Sequence, residues 1–287
     1  MTFFILAGGL GLRAEPLSRF KPKPAFPLNG VPLVTLLLEQ LRHLGCTQGF
    51  INLHHLGAQV AAAAGNRPGV RFIEEEKLSG SRVLREALPC VSNWLLAVNG
   101  DTFMEIPLAE MLLQAQDPRI DGVLAARWDG SGRYARLHCQ EGDFLGSAPA
   151  PEPDASGGLM YAGAALFRKT ALAKIDETNF FASIRKHELR FRVVTYGGIW
   201  LDVGTPASYF AANWEYMVRV APAALNALSP DVTIAPAADV ERSVLWEGAR
   251  IGPGVRLRQC IVTAGVRLEK GSHFRQIVSR QGVFPLS

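Results

Sequence analysis

The chain has 287 residues, 48% hydrophobic and 20% charged, a globular composition that excludes wholesale disorder. Its formal net charge is +4, with the excess in residues 241–287, where eight Lys/Arg face three acids, and no basic stripe with interleaved aromatics points to nucleic acid. No apolar run approaches the ~20 residues that span a bilayer, and four scattered cysteines without a CxxC suit a reduced, cytoplasmic protein rather than a disulfide framework or zinc site. The apolar start Met1–Leu6 has no basic n-region and runs into Ala7-Gly8-Gly9, so it is not read as a signal peptide.

In chain order, Phe3–Leu6 reads as a short strand. Pro32–Leu44 carries leucines at helical spacing and stops at Gly45. Gly49–Asn52 is a predicted strand, Gln59–Ala64 a helix, Val70–Glu74 a strand, and Trp94–Val98 a strand buried on both faces. Leu108–Gln116 follows as a helix and Val123–Arg127 as a strand. Residues 141–158, rich in Gly, Pro and Ala, read as an exposed loop. Leu159–Phe167 and Phe191–Tyr196 are predicted strands, Ala182–His187 part of a helix, and Pro206–Val220 a final helix announced by Thr205-Pro206. Alternation of this kind predicts a largely parallel sheet with helices on both faces, whose ligands sit at the carboxyl ends of the strands.

After about residue 228 the helical period disappears. Apolar positions recur mostly every five or six residues at Ile234, Val240, Trp246, Ile251, Val255, Ile261 and Val266, punctuated by glycines. This spacing predicts a parallel β-helix of about two coils, too small to stand alone and so leaning on the main domain or on a second copy. The expected division is 1–225 and 226–287, with a homo-oligomer contact through the tail.

Four stretches carry chemistry. Leu6-Ala7-Gly8-Gly9-Leu10-Gly11-Leu12-Arg13 follows a strand; its glycines leave backbone N–H groups open to a polyphosphate, and Arg13 adds a guanidinium fork. It is neither GxGxxG nor a GxxxxGK[ST] loop. Lys21-Pro22-Lys23-Pro24 holds two lysines on a stiffened backbone, suited to neutralising phosphate charge; the plain alternative is a solvated basic loop. Asn99-Gly100-Asp101 puts a hard carboxylate at a strand end, as Mg²⁺ prefers, or else is a simple turn. Gly197–Pro206 sets a second acid, Asp202, between a strand and a helix, where the two carboxylates could meet over one metal. The adjacent His54 and His55 would point to opposite faces of a strand and are not read as metal ligands.

Together these stretches resemble the sugar-1-phosphate nucleotidyltransferase family. The segments that carry the resemblance are LAGGLGLRAEPLSRFKPKPAFPLNGVPLV, then NGD, then WLDVGTP, and it covers nearly all of residues 1–215. Val244–Gly254 looks like the left-handed β-helix tail of many members, and Asn52-Leu53-His54-His55 resembles the branch of mannose-1-phosphate guanylyltransferases and N-acetylmuramate-1-phosphate uridylyltransferases. The resemblance implies an α/β fold with a Rossmann-like, mostly parallel mixed sheet flanked by helices, followed by a short left-handed parallel β-helix. It implies the reaction of an NTP with a sugar 1-phosphate to give an NDP-sugar and pyrophosphate. Gly8, Gly9 and Gly11 would wrap the triphosphate, Arg13 steady the leaving pyrophosphate, and Lys23 hold the sugar phosphate and α-phosphate. Asp101 and Asp202 would ligate Mg²⁺. Leu6, Ala7 and Gly80 would meet the nucleotide, and Asn99, Gly100, Gly163 and Trp200 the sugar.

Two departures accompany the resemblance. The family's small-residue loop is here Leu78-Ser79-Gly80-Ser81-Arg82, with Gly80 for a threonine and Arg82 for a glycine, which would alter nucleotide preference or lower activity. The Glu-Lys-Pro segment that contacts the sugar in some members has no counterpart. The leading expectation is guanylyl transfer to a mannose- or heptose-type 1-phosphate. The alternatives are uridylyl transfer to an amino-sugar 1-phosphate, a non-catalytic regulatory protein that binds a nucleotide sugar, and an acyltransferase built on the β-helix. No nucleic-acid or membrane partner is expected.

Overall fold

The computed structural model describes residues 1–149 and 157–286. Short apolar runs closed by turn residues become strands of one sheet, and the innermost of them are buried on both faces, where apolar residues can fill every position. These are β1 (Thr2–Leu6), β2 (Gln48–Leu53), β3 (Val70–Glu74) and β4 (Trp94–Asn99). They are followed by β5 (Gly122–Asp129), β6 (Arg136–Gln140), β7 (Asp143–Ala148), β8 (Gly158–Arg168) and β9 (Phe191–Thr195). The spatial order is β3-β2-β1-β4-β8-β5-β9-β7-β6. β1 runs parallel to β2 and β4, whereas β8 is antiparallel to both its neighbours, β4 and β5.

Alternate residues of β1 feed two core layers. Phe3 and Ile5 pack with Leu33, Leu37 and Leu41 of the helix Leu33–His43, and Phe4 packs on the other face with Phe50, Leu84 and Leu95. The helices Gly57–Ala64, Leu108–Gln114, Phe180–Lys186 and Pro206–Val220 fall within two residues of the ends expected from the sequence. Among the described residues no helix is long and apolar enough to cross a membrane.

One segment corrects the sequence reading. The expected loop at 141–158 begins inside a hairpin, β6–β7, turned at Glu141 and Gly142 with φ of 51° and 83°. Two positive φ values at a two-residue turn match the right-handed twist of the flanking strands, so an Xaa-Gly pair here joins strands rather than ending order. The middle of the expected loop, 150–156, lies outside the described residues.

The tail is a parallel β-helix of three coils, not two. Ala227 pairs with Val244 and Val244 with Ile261, a repeat of 17 residues, and Ile261 pairs with Ile277 after 16. The first coil was hidden because it opens on Ala227, a small residue where the next two coils hold Val244 and Ile261. Gly282–Pro285 folds back antiparallel on Gln276–Ser279 and closes one of the three stacked sheets.

The tail packs directly on the main sheet's helices. Trp246 is fully buried and stacks at a tilt on Phe26 (centroids 5.4 Å apart), and its indole N–H donates to the Tyr209 hydroxyl at 2.9 Å. That hydroxyl donates in turn to the carbonyl of Pro27 at 2.7 Å. Lys21 reaches Glu247 of the tail at 2.7 Å. Trp246→Ala should therefore lower unfolding stability by about 3–5 kcal/mol, the usual result of deleting a buried large aromatic. Denaturant titration of the full chain checks this, and a loss below about 1 kcal/mol, the scale of surface substitutions, would mean that the tail packs independently.

Candidate active site

β1 and β4 end side by side, Leu6 opposite Asn99, so the segments that follow them leave the sheet together. They border a cavity of about 500 Å³. Of the residues expected from the sequence, Leu6, Ala7, Gly8, Gly9, Gly11, Lys23, Gly80, Asn99 and Asp101 line it. The others stand around it. Gly100 donates its N–H to Leu6 O at 2.8 Å, and Gly163 lies against the Asn99 side chain. Trp200 donates its indole N–H to Ala162 O at 2.8 Å. Arg13 is exposed on the single turn Leu12–Ala14 and is not part of the cavity wall.

Lys23 is not on a solvated loop. It is 7% exposed, starts the short helical turn Lys23–Ala25 between Pro22 and Pro24, and points its ammonium at Asp101 Oδ2, 3.2 Å away. A buried ammonium requires such a partner. The two lysines of the motif thus divide, Lys23 to the cavity and Lys21 to the tail.

Asp202 arrives through a separate two-stranded ribbon, Thr102–Met104 with Trp200–Asp202, in which Asp202 opposes Thr102. Val203 N–H approaches Asp101 O at 3.4 Å, so the two acids share one corner of the site. The Tyr134 hydroxyl donates to Asp202 Oδ2 at 3.0 Å. Burial, then the Asp202 charge, pushes the Tyr134 phenol well above its ordinary range, so it keeps its proton and remains the donor. Among the described residues no cluster of three His, Cys, Asp or Glu could hold a metal.

The sequence candidates omitted a network that shapes the same cavity. Asn52 Oδ1 accepts the Ala7 N–H at 2.7 Å, and Asn52 Nδ2 donates to Glu75 Oε2 at 2.5 Å. Glu75 Oε1 accepts from the Ser79 N–H at 3.0 Å and from its hydroxyl. A side-chain carbon at Gly8 would come within 2.7 Å of Asn52 Nδ2, so the glycine is needed for this approach. The available signal was Asn52 itself, a polar residue in an apolar strand, 4% exposed and hence obliged to find partners. The histidines beside it are anchors: His54 Nδ1 meets Glu75 O at 2.8 Å and His55 Nε2 meets Ser18 O at 3.0 Å.

The departure at 78–82 looks different in three dimensions. Gly80 has φ of +62°, and a Cβ there would sit 2.2 Å from Thr178 O, so the position admits only glycine. Arg82 is exposed, donates its Nε–H to Ser79 O at 3.2 Å, and lies outside the cavity wall.

Open backbone amides, a buried ammonium and two hard carboxylates gathered at the carboxyl ends of an α/β sheet are the parts of a nucleotidyl-transfer site. The chain belongs to the MobA-like NTP transferase domain family, whose model matches residues 3–189. Residues 216–274 match a GlmU-like C-terminal hexapeptide, which makes the three-coil tail a left-handed β-helix. The chain is similar to the N-acetylmuramate alpha-1-phosphate uridylyltransferase of Neisseria meningitidis serogroup B, with 29% identity over 75% of this chain and 100% of the relative. It is also similar to the D-glycero-alpha-D-manno-heptose 1-phosphate guanylyltransferase of Campylobacter jejuni, 25% identical over 73% of this chain and 97% of the other. It spans 63% of the length of a Sulfolobus acidocaldarius relative. In fold it matches HddC from Yersinia pseudotuberculosis, solved with GMP-PN, at a TM-score of 0.65 and 21% identity, covering 75% of this chain and 99% of that one.

Because the Arg82 guanidinium faces away from the cavity, Arg82→Ala should leave kcat/KM for nucleotidyl transfer within about threefold, under 1 kcal/mol of transition-state stabilisation. A loss of a hundredfold in steady-state assays would return Arg82 to the site.

Proposed function

We propose that this chain catalyses transfer of a nucleotidyl group from an NTP to a sugar 1-phosphate. An oxygen of the sugar phosphate attacks the α-phosphorus, the bond between the α-phosphorus and the bridging oxygen to the β-phosphate breaks, and pyrophosphate leaves. No covalent intermediate is needed, so positioning and charge neutralisation supply the catalysis. The observation that carries this reading is the buried Lys23 ammonium set against Asp101 at the end of the glycine loop. Lys23 is the charge that offsets the phosphates, Gly8, Gly9 and Gly11 offer their backbone amides, and Arg13, outside the cavity wall, would meet the pyrophosphate only as it leaves.

Asp101 and Asp202 suit Mg²⁺. Each is a hard carboxylate, each has one oxygen with no hydrogen bond among the described residues, and such a cation completes its shell with water and substrate phosphate. Bound there, the cation would neutralise phosphate charge. The catalytic part is taken as residues 1–225 and the tail as 226–287. The four cysteines are free, in keeping with a reducing cytoplasm.

The base we assign is guanine, and the acceptor a mannose- or heptose-type 1-phosphate. The Glu75 carboxylate faces the cavity, and a carboxylate accepts well from the adjacent N1–H and N2–H of guanine. Uracil offers a single N3–H donor, flanked by two carbonyl oxygens that the carboxylate repels. The second reading, uridylyl transfer to an amino-sugar 1-phosphate, draws on the Neisseria relative.

Pyrophosphate release measured with Mg²⁺ across five NTPs and a panel of sugar 1-phosphates tests the reaction. Lys23→Ala should lower the rate of the productive pair about 10²- to 10³-fold, as for loss of one charge-stabilising donor, and Asp101→Asn should abolish Mg²⁺-dependent turnover with the circular dichroism spectrum unchanged. Folded protein that releases no pyrophosphate with any pair would favour the regulatory, nucleotide-sugar-binding alternative. Glu75→Gln should narrow the preference for GTP over UTP by about tenfold, the value of one charged hydrogen bond; an unmoved ratio would remove Glu75 from base selection.

A further inference from the structure

The sheet carries a second group of cationic side chains that the transfer reaction does not use. Arg127 on β5 is directly opposite Met160 on β8, and Met160 is opposite Arg136 on β6. Directly opposed residues project from the same face of a sheet. Thr195 at the end of β9 pairs with Ala126, so Tyr196 adjoins Arg127 in the same row. This face looks toward the Asp202 ribbon. The Arg127 guanidinium lies 5.2 Å from the Trp200 ring centroid, and Tyr134, which holds Asp202, meets Trp200 edge-on at 5.3 Å.

Both arginines are half-buried, and no ion pair among the described residues engages either. Arg136 Nε and Nη2 are buried with no hydrogen-bond partner among the described residues. Among the described residues the carboxylates on that side are engaged elsewhere: Asp202 by the Tyr134 hydroxyl, Glu105 by the Ile199 N–H at 3.2 Å, and Asp129 by the Ser131 N–H and hydroxyl. A half-buried guanidinium without an opposite charge is costly, and its planar fork fits a carboxylate or phosphate edge. Neither Trp200 nor Asp202 lines the cavity wall that holds Ala7, Asn52 and Glu75, and on the nucleotidyl-transfer reading they stand on the acceptor side.

We propose that Arg127, backed by Arg136, binds a second anionic group on the acceptor, so that the preferred substrate is an acidic sugar 1-phosphate bearing a carboxylate or a further phosphate. This rests on the nucleotidyl-transfer reading and adds a charge requirement to its acceptor, whether the sugar is of the mannose or heptose type or an amino sugar. The 1-phosphate goes to Lys23, and the second charge goes to the fork over Trp200.

The test compares matched acceptors with the productive NTP: N-acetylmuramate 1-phosphate against N-acetylglucosamine 1-phosphate for a carboxylate, and mannose 1,6-bisphosphate against mannose 1-phosphate for a phosphate. The charged member of one pair should have kcat/KM about tenfold to a hundredfold higher, the range for a hydrogen bond to a charged group, chiefly through KM. The pair that shows the preference identifies the anion. Arg127→Gln should bring that ratio near one, and Arg127→Lys should restore part of it, since charge returns without the fork. A merely structural arginine would lower both members of a pair alike. Equal use of charged and neutral acceptors by the unaltered enzyme, or a ratio that Arg127→Gln leaves in place, overturns the subsite while the transfer reading stands. Absence of pyrophosphate release from every pair overturns both.

Discussion

One phenol holds the three parts of the site in register. Tyr209 is fully buried and both accepts from the Trp246 indole and donates to the Pro27 carbonyl. Burial raises its pKa above the ordinary range, which favours the protonated phenol as donor. Tyr209 stands on the helix that begins just after Asp202, Pro27 follows Lys23 by four positions, and Trp246 belongs to the tail. The segments carrying the lysine and the second acid are therefore tied at one oxygen, and the tie is made by a residue from the β-helix. The Asn213 side chain adds a parallel strut, accepting from Asn29 N–H at 3.0 Å. Buried networks whose members are all satisfied are rigid, which is what a reaction dependent on positioning requires.

The site is graded along its length by charge. At one end the Ala7–Asn52–Glu75 chain ends in a carboxamide and a carboxylate, the groups proposed to meet the base. In the middle, Lys23 and Asp101 offer opposite charges at 3.2 Å. On the Asp202 ribbon stands the Trp200 indole, and beyond it come two guanidiniums. The gradient arises from topology. The first end hangs on parallel strands β1 and β2, the middle on the adjacent ends of β1 and β4, and the far end on the antiparallel strands β5, β8 and β6.

Much of this was legible from residues alone, and the gaps have physical causes. The inner strands were readable because burial on both faces forces continuous apolar runs, and the long helices because Leu33–His43 and Pro206–Val220 carry both period and stop or start signals. The hairpin β6–β7 was not, since its outer strands alternate weakly and its Glu141-Gly142 turn resembles the glycine-rich stretch after it. The glycine loop, Lys23 and Asp101 converge as their motif spacing implied. Arg13 does not reach the cavity wall, and Asn52, Glu75, Tyr134 and Arg127 were missed. Those four act through partners at distances of 23 to 73 residues along the chain, such as Asn52 with Glu75 and Tyr134 with Asp202 at 68, and no local pattern encodes such pairs. Arg82 shows the reverse error. A substitution inside a motif looked consequential, yet the backbone turn at Gly80 directs its side chain outward.

The 17-residue coil has a consequence for how such a chain can vary. Each coil contributes one strand to each of three stacked parallel sheets, so every residue has a counterpart directly above or below it. Inserting or removing a few residues within a coil would rotate the apolar positions out of the interior of every later turn. Inserting or removing an entire coil beyond Trp246 would leave each row intact and keep the hairpin Gln276–Pro285 as the terminus. The tail is thus quantised in length: its far end can be rebuilt in whole turns, while the first two turns, which carry Ala227 and Trp246, are fixed by the catalytic half they brace.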